Sequence, residues 1–374
     1  MQRRDFLVQT SRVAVGYSLL PLAGCTTAPP SRAAKRDAYL EALTESWEKS
    51  IPQWLREANL PGASVAVVRD GRLAWQRGFG VKDVGSGEPV DNDTVFAACS
   101  DTKPVFAYAV AKLCERGLMD LDTPLTRYTT ERIIPDPRLE LITARHVLTH
   151  TTGFPNWRQE PAPLTLEFTP GERFQYSGEG FSYLQAVVER VTGKSFEAFL
   201  MDHLLAPFGM NSSRVTWDMP YVRRMAKPHD KAAKRIQGKF ETLRTASDRE
   251  RDLARYGAAA CLLTTPGDYA KFFEEILDPR PADAFRLTPS GLREYLRPQV
   301  KKDDAQSMAL GWVAVARAGI PTLYTHAGQD AGYYCSAVMS PAKKSALMIM
   351  MNGDNYEQFF EKSSADPLSQ QFFA

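Results

Sequence analysis

The stretch FAACSDTKPVFAYAVAKL, residues 96–113, carries a serine at 100 and a lysine at 103. An apolar extended run, 94–98, gives way here to a helical pattern. Ser100 has two readings. As an N-cap it satisfies orphan N–H groups of the first turn. As a nucleophile it needs a base, and residues i and i+3 share a helix face, so the Lys103 amine can reach its hydroxyl. S-x-x-K occurs three times, at Ser46–Lys49, Ser100–Lys103 and Ser340–Lys343, so the surroundings must decide.

Lysine acts as a base only when burial or nearby cations pull its pKa down from ~10.4. The apolar neighbourhood from Phe96 to Val110 offers that burial. A helix start adds a favourable field for developing negative charge, and Pro104 is tolerated there. Cys99 beside the serine reads as a small buried residue.

Working outward, 62–81 reads as a β-hairpin turning at Asp70-Gly71. Residues 310–317, 332–340 and 345–352 read as three more strands, with Pro341–Lys344 turning between the last two. Helices are expected over 104–116, ending at Gly117, around Phe181, Leu184, Val188 and Val191, ending at Gly193, and over Pro266–Leu277. Strands at both chain ends with helices between them give an α+β fold. We expect one antiparallel sheet of about five strands, from 39–95 and 303–374, with a mostly helical region, 96–302, inserted. Residues 221–255 are rich in Lys and Arg without clean periodicity and read as a solvated segment.

A formal charge of +2 over 374 residues gives no electrostatic case for nucleic acid. The five histidines are scattered, and no C-x-x-C or H-E-x-x-H occurs, so neither a metal nor another cofactor is expected. Residues 1–25 read as a Tat-type lipoprotein signal: Arg3-Arg4, an apolar stretch too short to span a membrane, then Leu22-Ala23-Gly24-Cys25. Cys25 would be lipidated, 26–38 would be a tether, and 39–374 the exported domain. The expected location is periplasmic, membrane-anchored through Cys25.

Two further pieces complete a candidate site. Tyr176 stands just ahead of the second helix and could shuttle a proton. His326-Ala327-Gly328 stands just before a predicted strand, where glycine admits close backbone approach. Backbone N–H groups of Ser100 and Gln329 could hold an oxyanion.

Taken in order, Ser-x-x-Lys at 100–103, Tyr-Ser-Gly at 176–178 and His-Ala-Gly at 326–328 resemble the serine β-lactamase-related family. That family includes class C β-lactamases, DD-peptidases and class C-like esterases. HVLTHTTGFPNW (146–157) and GAAACLLTTPGDYAKFFEEIL (257–277) add to the resemblance, which covers about 40–355. It implies a β-lactamase/transpeptidase-like fold and an acyl-enzyme on Ser100, with Lys103 and Tyr176 moving protons. It also implies a small-molecule or peptide ester or amide as substrate. Two departures stand out. Gly178 stands where the family often has an asparagine whose amide contacts peptide-like or β-lactam side chains. His326 stands where β-lactamases carry a lysine that pairs with a substrate carboxylate. Both favour an esterase-like member over an efficient β-lactamase. DD-peptidase or β-lactamase activity, or a non-catalytic member binding cell-wall peptides, are the alternatives.

Overall fold

Asp70 and Gly71 both adopt positive φ, 52° and 72°, the geometry of a tight hairpin turn. They join β1 (Gly62–Arg69) to β2 (Arg72–Gly80). The computed structural model describes residues 38–243 and 245–373. The proposed signal, Cys25 and nearly all of the tether lie outside them. Residues 42–374 form one compact unit.

The expected sheet of about five strands has eight. After two short strands outside it, β3 (Phe96–Ala97) and β4 (Leu263–Thr264), come β5 (Val300–Lys301), β6 (Gln306–Met308) and β7 (Val313–Arg317). β8 (Ile320–Asp330), β9 (Tyr333–Ser340) and β10 (Ser345–Met351) follow. The order is β2-β1-β10-β9-β8-β7-β6-β5, and every pair is antiparallel. Pairing of β1 with β10, Ala63 opposite Met351, joins the two ends of the chain. β1 is apolar on both faces because it is buried on both; β9 alternates, as a half-buried strand does.

Within the sheet, sequence reading missed the short β5 and β6, of two and three residues, and the long β8; β8 is the one that bears on the site. Its first six residues are all half-buried, so no alternation marks it, and Pro321 and Gly328 read as breakers. His326 and Gly328 therefore lie within a strand, not ahead of one.

Five helices matter here: α1 (Ala38–Glu57), α2 (Thr102–Glu115), α3 (Gly178–Thr192), α4 (Ala246–Ala260) and α5 (Pro266–Leu277). α2 is buried on every side from Thr102 to Leu113, the mark of a central helix. Tyr108 packs edge-on against Phe208, Phe272 and Tyr295. The Tyr295 hydroxyl donates to the Pro104 carbonyl and accepts from the Trp312 indole, so the buried polar ends are paired. α5 packs on β1, β2 and β10, while α2 and α3 pack against α4.

The solvated reading of 221–255 fits 231–255, where no described side chain is buried, but not 221–230, where Tyr221 and Val222 are among the buried residues. The segment also contributes most of α4. Thr245 and Asp248 form a capping box that opens the helix. That T-x-x-D signal was available in the sequence but was masked by the surrounding charge.

Candidate active site

Cys99 has φ +48°, the left-handed region that a residue with a Cβ adopts at a cost of about 1–2 kcal/mol. The bend turns the chain from β3 into a 3-10 turn, Cys99–Asp101, that runs on into α2. Ser100 is the middle residue of this turn and is half-buried. The α2 N-cap is Asp101, without a side-chain cap bond, so Ser100 is not serving as the cap.

Lys103 Nζ lies 3.2 Å from Ser100 Oγ and donates to the Ala259 carbonyl at 2.8 Å. It faces the rings of Tyr176, 4.7 Å away, and Phe181, 5.4 Å away. The residue is almost wholly buried, and burial pulls its pKa down to about 7 against an opposing pull from Asp101. The other two S-x-x-K pairs lack this setting: Lys49 is exposed and Lys343 half-exposed.

A stability consequence follows. Between about pH 7 and the ordinary lysine range, the unfolded chain binds a proton here that the folded chain does not, so stability rises with pH. Below pH 7 the fold carries the cost of a buried ammonium. Urea unfolding at pH 6 and pH 9 is the check. Lys103→Met should gain stability over wild type at pH 6, and that margin should shrink by roughly 3 kcal/mol at pH 9. A margin independent of pH would contradict the depressed pKa.

Tyr176 meets Ser100 through its hydroxyl, and burial pushes its pKa above the usual phenol value. It is thus a phenol at neutral pH, not a phenolate. Its ring stacks on His150, centroids 4.2 Å apart. His150 was not singled out by the sequence reading, although it lies in the quoted HVLTHTTG stretch. It is buried, has φ +55°, and its Nδ1 accepts the Ser177 N–H at 3.0 Å. Burial, with Lys103 nearby, holds its pKa well below the usual range, so the ring is neutral.

The segments converge through close backbone approach. A Cβ at Gly328 would stand 2.2 Å from the Ala98 carbonyl oxygen and 3.0 Å from the Cys99 Cβ. β8 thus runs directly against the turn that carries Ser100, and Gln329 follows at the exposed end of the strand. His326 is only 5% exposed, with Nδ1 3.3 Å from Asp101 Oδ1. One ring nitrogen of what sequence reading treated as a substrate-facing side chain lies beside a buried carboxylate. Asp101 is fully buried, and burial raises its pKa. No local signal marked this pair, which is joined only by the tertiary fold.

The structure brings Ser100, Lys103, Tyr176, His326, Gly328 and Gln329 into one region; Cys25 lies outside the described residues. Among the described residues, no group of three His, Cys, Asp or Glu side chains is arranged to hold a metal. The arrangement can take a proton from a serine hydroxyl at near-neutral pH.

Residues 36–368 match the family model described as Beta-lactamase. Esterase EstB of Burkholderia gladioli is 30% identical over 317 residues, covering 72% of this chain and 78% of the esterase. Protein flp of Staphylococcus aureus (strain MW2) is 21% identical over 316 residues, covering 80% of this chain. The chain spans only 61% of that relative's length. A class C beta-lactamase superposes with a TM-score of 0.72 at 18% identity, covering 87% of this chain and 97% of that one. The octameric penicillin-binding protein homologue from Pyrococcus abyssi gives 0.70 at 23% identity, covering 86% and 76%. These two likenesses show the fold.

Proposed function

The chain belongs to the beta-lactamase family, whose members are serine hydrolases, and from that premise we propose that it hydrolyses esters through an acyl-enzyme on Ser100. The observation that carries this reading is the buried Lys103 amine, with a pKa of about 7, 3.2 Å from the Ser100 hydroxyl.

The choice of base follows from the two pKa shifts. Lys103 is brought down to neutrality while Tyr176 is pushed further above it. Neutral Lys103 therefore takes the Ser100 proton as Oγ attacks the carbonyl carbon. The tetrahedral oxyanion is held by the N–H groups of Ser100 and Gln329. Tyr176, a neutral phenol, gives its proton to the leaving group and recovers one from the Lys103 ammonium. Water then enters by the reverse sequence and releases the acid. The acid limb of kcat/KM rises as Lys103 deprotonates, near pH 7.

Esterase activity is placed ahead of amidase or β-lactamase activity on two grounds. Gly178 supplies no amide, and a histidine, His326, stands where the resemblance places a lysine that pairs with a substrate carboxylate, its Nδ1 turned toward Asp101. The similarity to an esterase points the same way. Export and anchoring through Cys25 remain a proposal from the Arg3-Arg4 and Leu22–Cys25 motifs, tested by mass of the N-terminal peptide from cells.

The test of the main reading is intact mass after treating residues 26–374 with a fluorophosphonate. We expect one adduct on wild type, mapping to Ser100, and none on Ser100→Ala. Folded wild type that stays unlabelled would favour a non-catalytic member that binds cell-wall peptides.

A further inference from the structure

Gly178 has no need of glycine for its backbone, because its φ is ordinary; the reason is space. A Cβ there would lie 2.4 Å from both Cη2 and Cζ2 of Trp157, and 2.8 Å from Cε2. The indole occupies the volume in which any side chain at 178 would begin. It is fixed from both sides. The preceding Asn156 accepts the Gly178 N–H through its carbonyl at 3.0 Å and its Oδ1 at 3.1 Å. The following Arg158 donates its backbone N–H to Glu179 at 2.9 Å and pairs with the same carboxylate at 2.5 Å.

The other side of the indole meets Tyr256 edge-on, centroids 4.8 Å apart at 76°. Tyr256 lies one turn before Ala259 on α4, and the Ala259 carbonyl holds Lys103. Gly178 is two residues beyond Tyr176. The Trp157–Tyr256 pair therefore bridges the two elements that position the proton-handling groups. Both rings are half-buried.

We propose that Trp157 is the specificity-determining residue of this site. With Tyr256 it forms an aromatic wall where the family resemblance implies an asparagine amide, so the site selects alkyl or aryl acyl groups and rejects acylamino, peptide-like ones. The proposal rests on the serine-hydrolase reading. The indole edge that faces Gly178 is carbon, Cη2, Cζ2 and Cε2, and offers no partner to a substrate amide N–H or C=O placed there, which desolvates on docking and stays unpaired. Flat apolar groups instead gain contact with the rings.

The experiment compares p-nitrophenyl butyrate with p-nitrophenyl phenylacetylglycinate, which share a leaving group. Rates are normalised to Ser100 titrated with a fluorophosphonate. In Trp157→Ala the butyrate preference in kcat/KM should fall about tenfold, the scale of a lost pocket contact. Trp157→Ala/Gly178→Asn should fall further, because the amide then has both space and a partner. Gly178→Asn alone should lower Tm, since the indole is in the way, and the double variant should recover it. Should Trp157→Ala fold poorly, Trp157→Phe should give an intermediate preference. A preference within twofold of wild type in every folded variant, with Ser100 still titrating, would overturn the proposal and leave the hydrolase reading intact. Wild type without titratable Ser100 would overturn the hydrolase reading itself, and the proposal with it.

Discussion

Ser100→Ala is expected to lower kcat/KM for an activated ester roughly 10⁴-fold or more, and Lys103→Met roughly 10³-fold. The double variant should be no slower than Ser100→Ala. The reason is that the two groups act as a unit. Nζ and Oγ lie 3.2 Å apart, and every proton the amine handles in the proposed acylation comes first from that hydroxyl. Without the hydroxyl there is nothing to deprotonate; without the amine, the hydroxyl keeps its proton near pH 7. Tyr176 cannot take over, because burial keeps it a phenol. Steady-state hydrolysis of p-nitrophenyl butyrate by the three variants is the measurement. A Lys103→Met enzyme with a tenth of wild-type activity would remove lysine from the role of base. Additive losses in the double variant would mean that the two residues act independently.

Gly328→Ala is expected to cost about 10²–10³ in kcat, with a much smaller change in KM. The new Cβ would stand 2.2 Å from the Ala98 carbonyl oxygen, well inside contact distance. That oxygen cannot easily yield, because it accepts the Asp101 N–H at 2.9 Å in the turn that presents Ser100. Cys335, opposite Gly328 on β9, closes the other side, with Sγ 3.0 Å from the new carbon. β8 must then move away from the turn and carry the Gln329 N–H with it. An oxyanion donor works only within about 2.7–3.1 Å of the developing charge, so a small retreat removes its benefit. Substrate binding depends less on that distance. Stopped-flow acylation with the same ester, alongside Tm, separates the effects. Acylation at the wild-type rate in a folded variant would dissociate Gln329 from the oxyanion.

Helix ends and turns were legible because their signals are local. Gly193 ends α3 at φ 66°, Gly117 follows α2 at φ 71°, and Asp70-Gly71 turns the first hairpin. The i, i+3 spacing of Ser100 and Lys103 was legible for the same reason. β8 was not, because its first six residues are evenly half-buried and leave no period of two to read, and Pro321 and Gly328 read as breakers. α4 was hidden by its charge, despite its Thr245–Asp248 capping box.

By itself, then, the sequence determined the α+β class, the hairpin and the central helix, which rest on propensity, periodicity and spacing within short segments. The trio of Ser100–Lys103, Tyr176 and His326–Gly328 was legible as a set only through its order, which resembles a known family. Only the tertiary structure decided that Asp101 faces His326, that His150 lies under Tyr176, and that Trp157 fills the space beside Gly178. The last two are built from segments about twenty residues or more apart, and Asp101–His326 spans most of the domain. Their energies come from burial and close packing, which no spacing along the chain encodes.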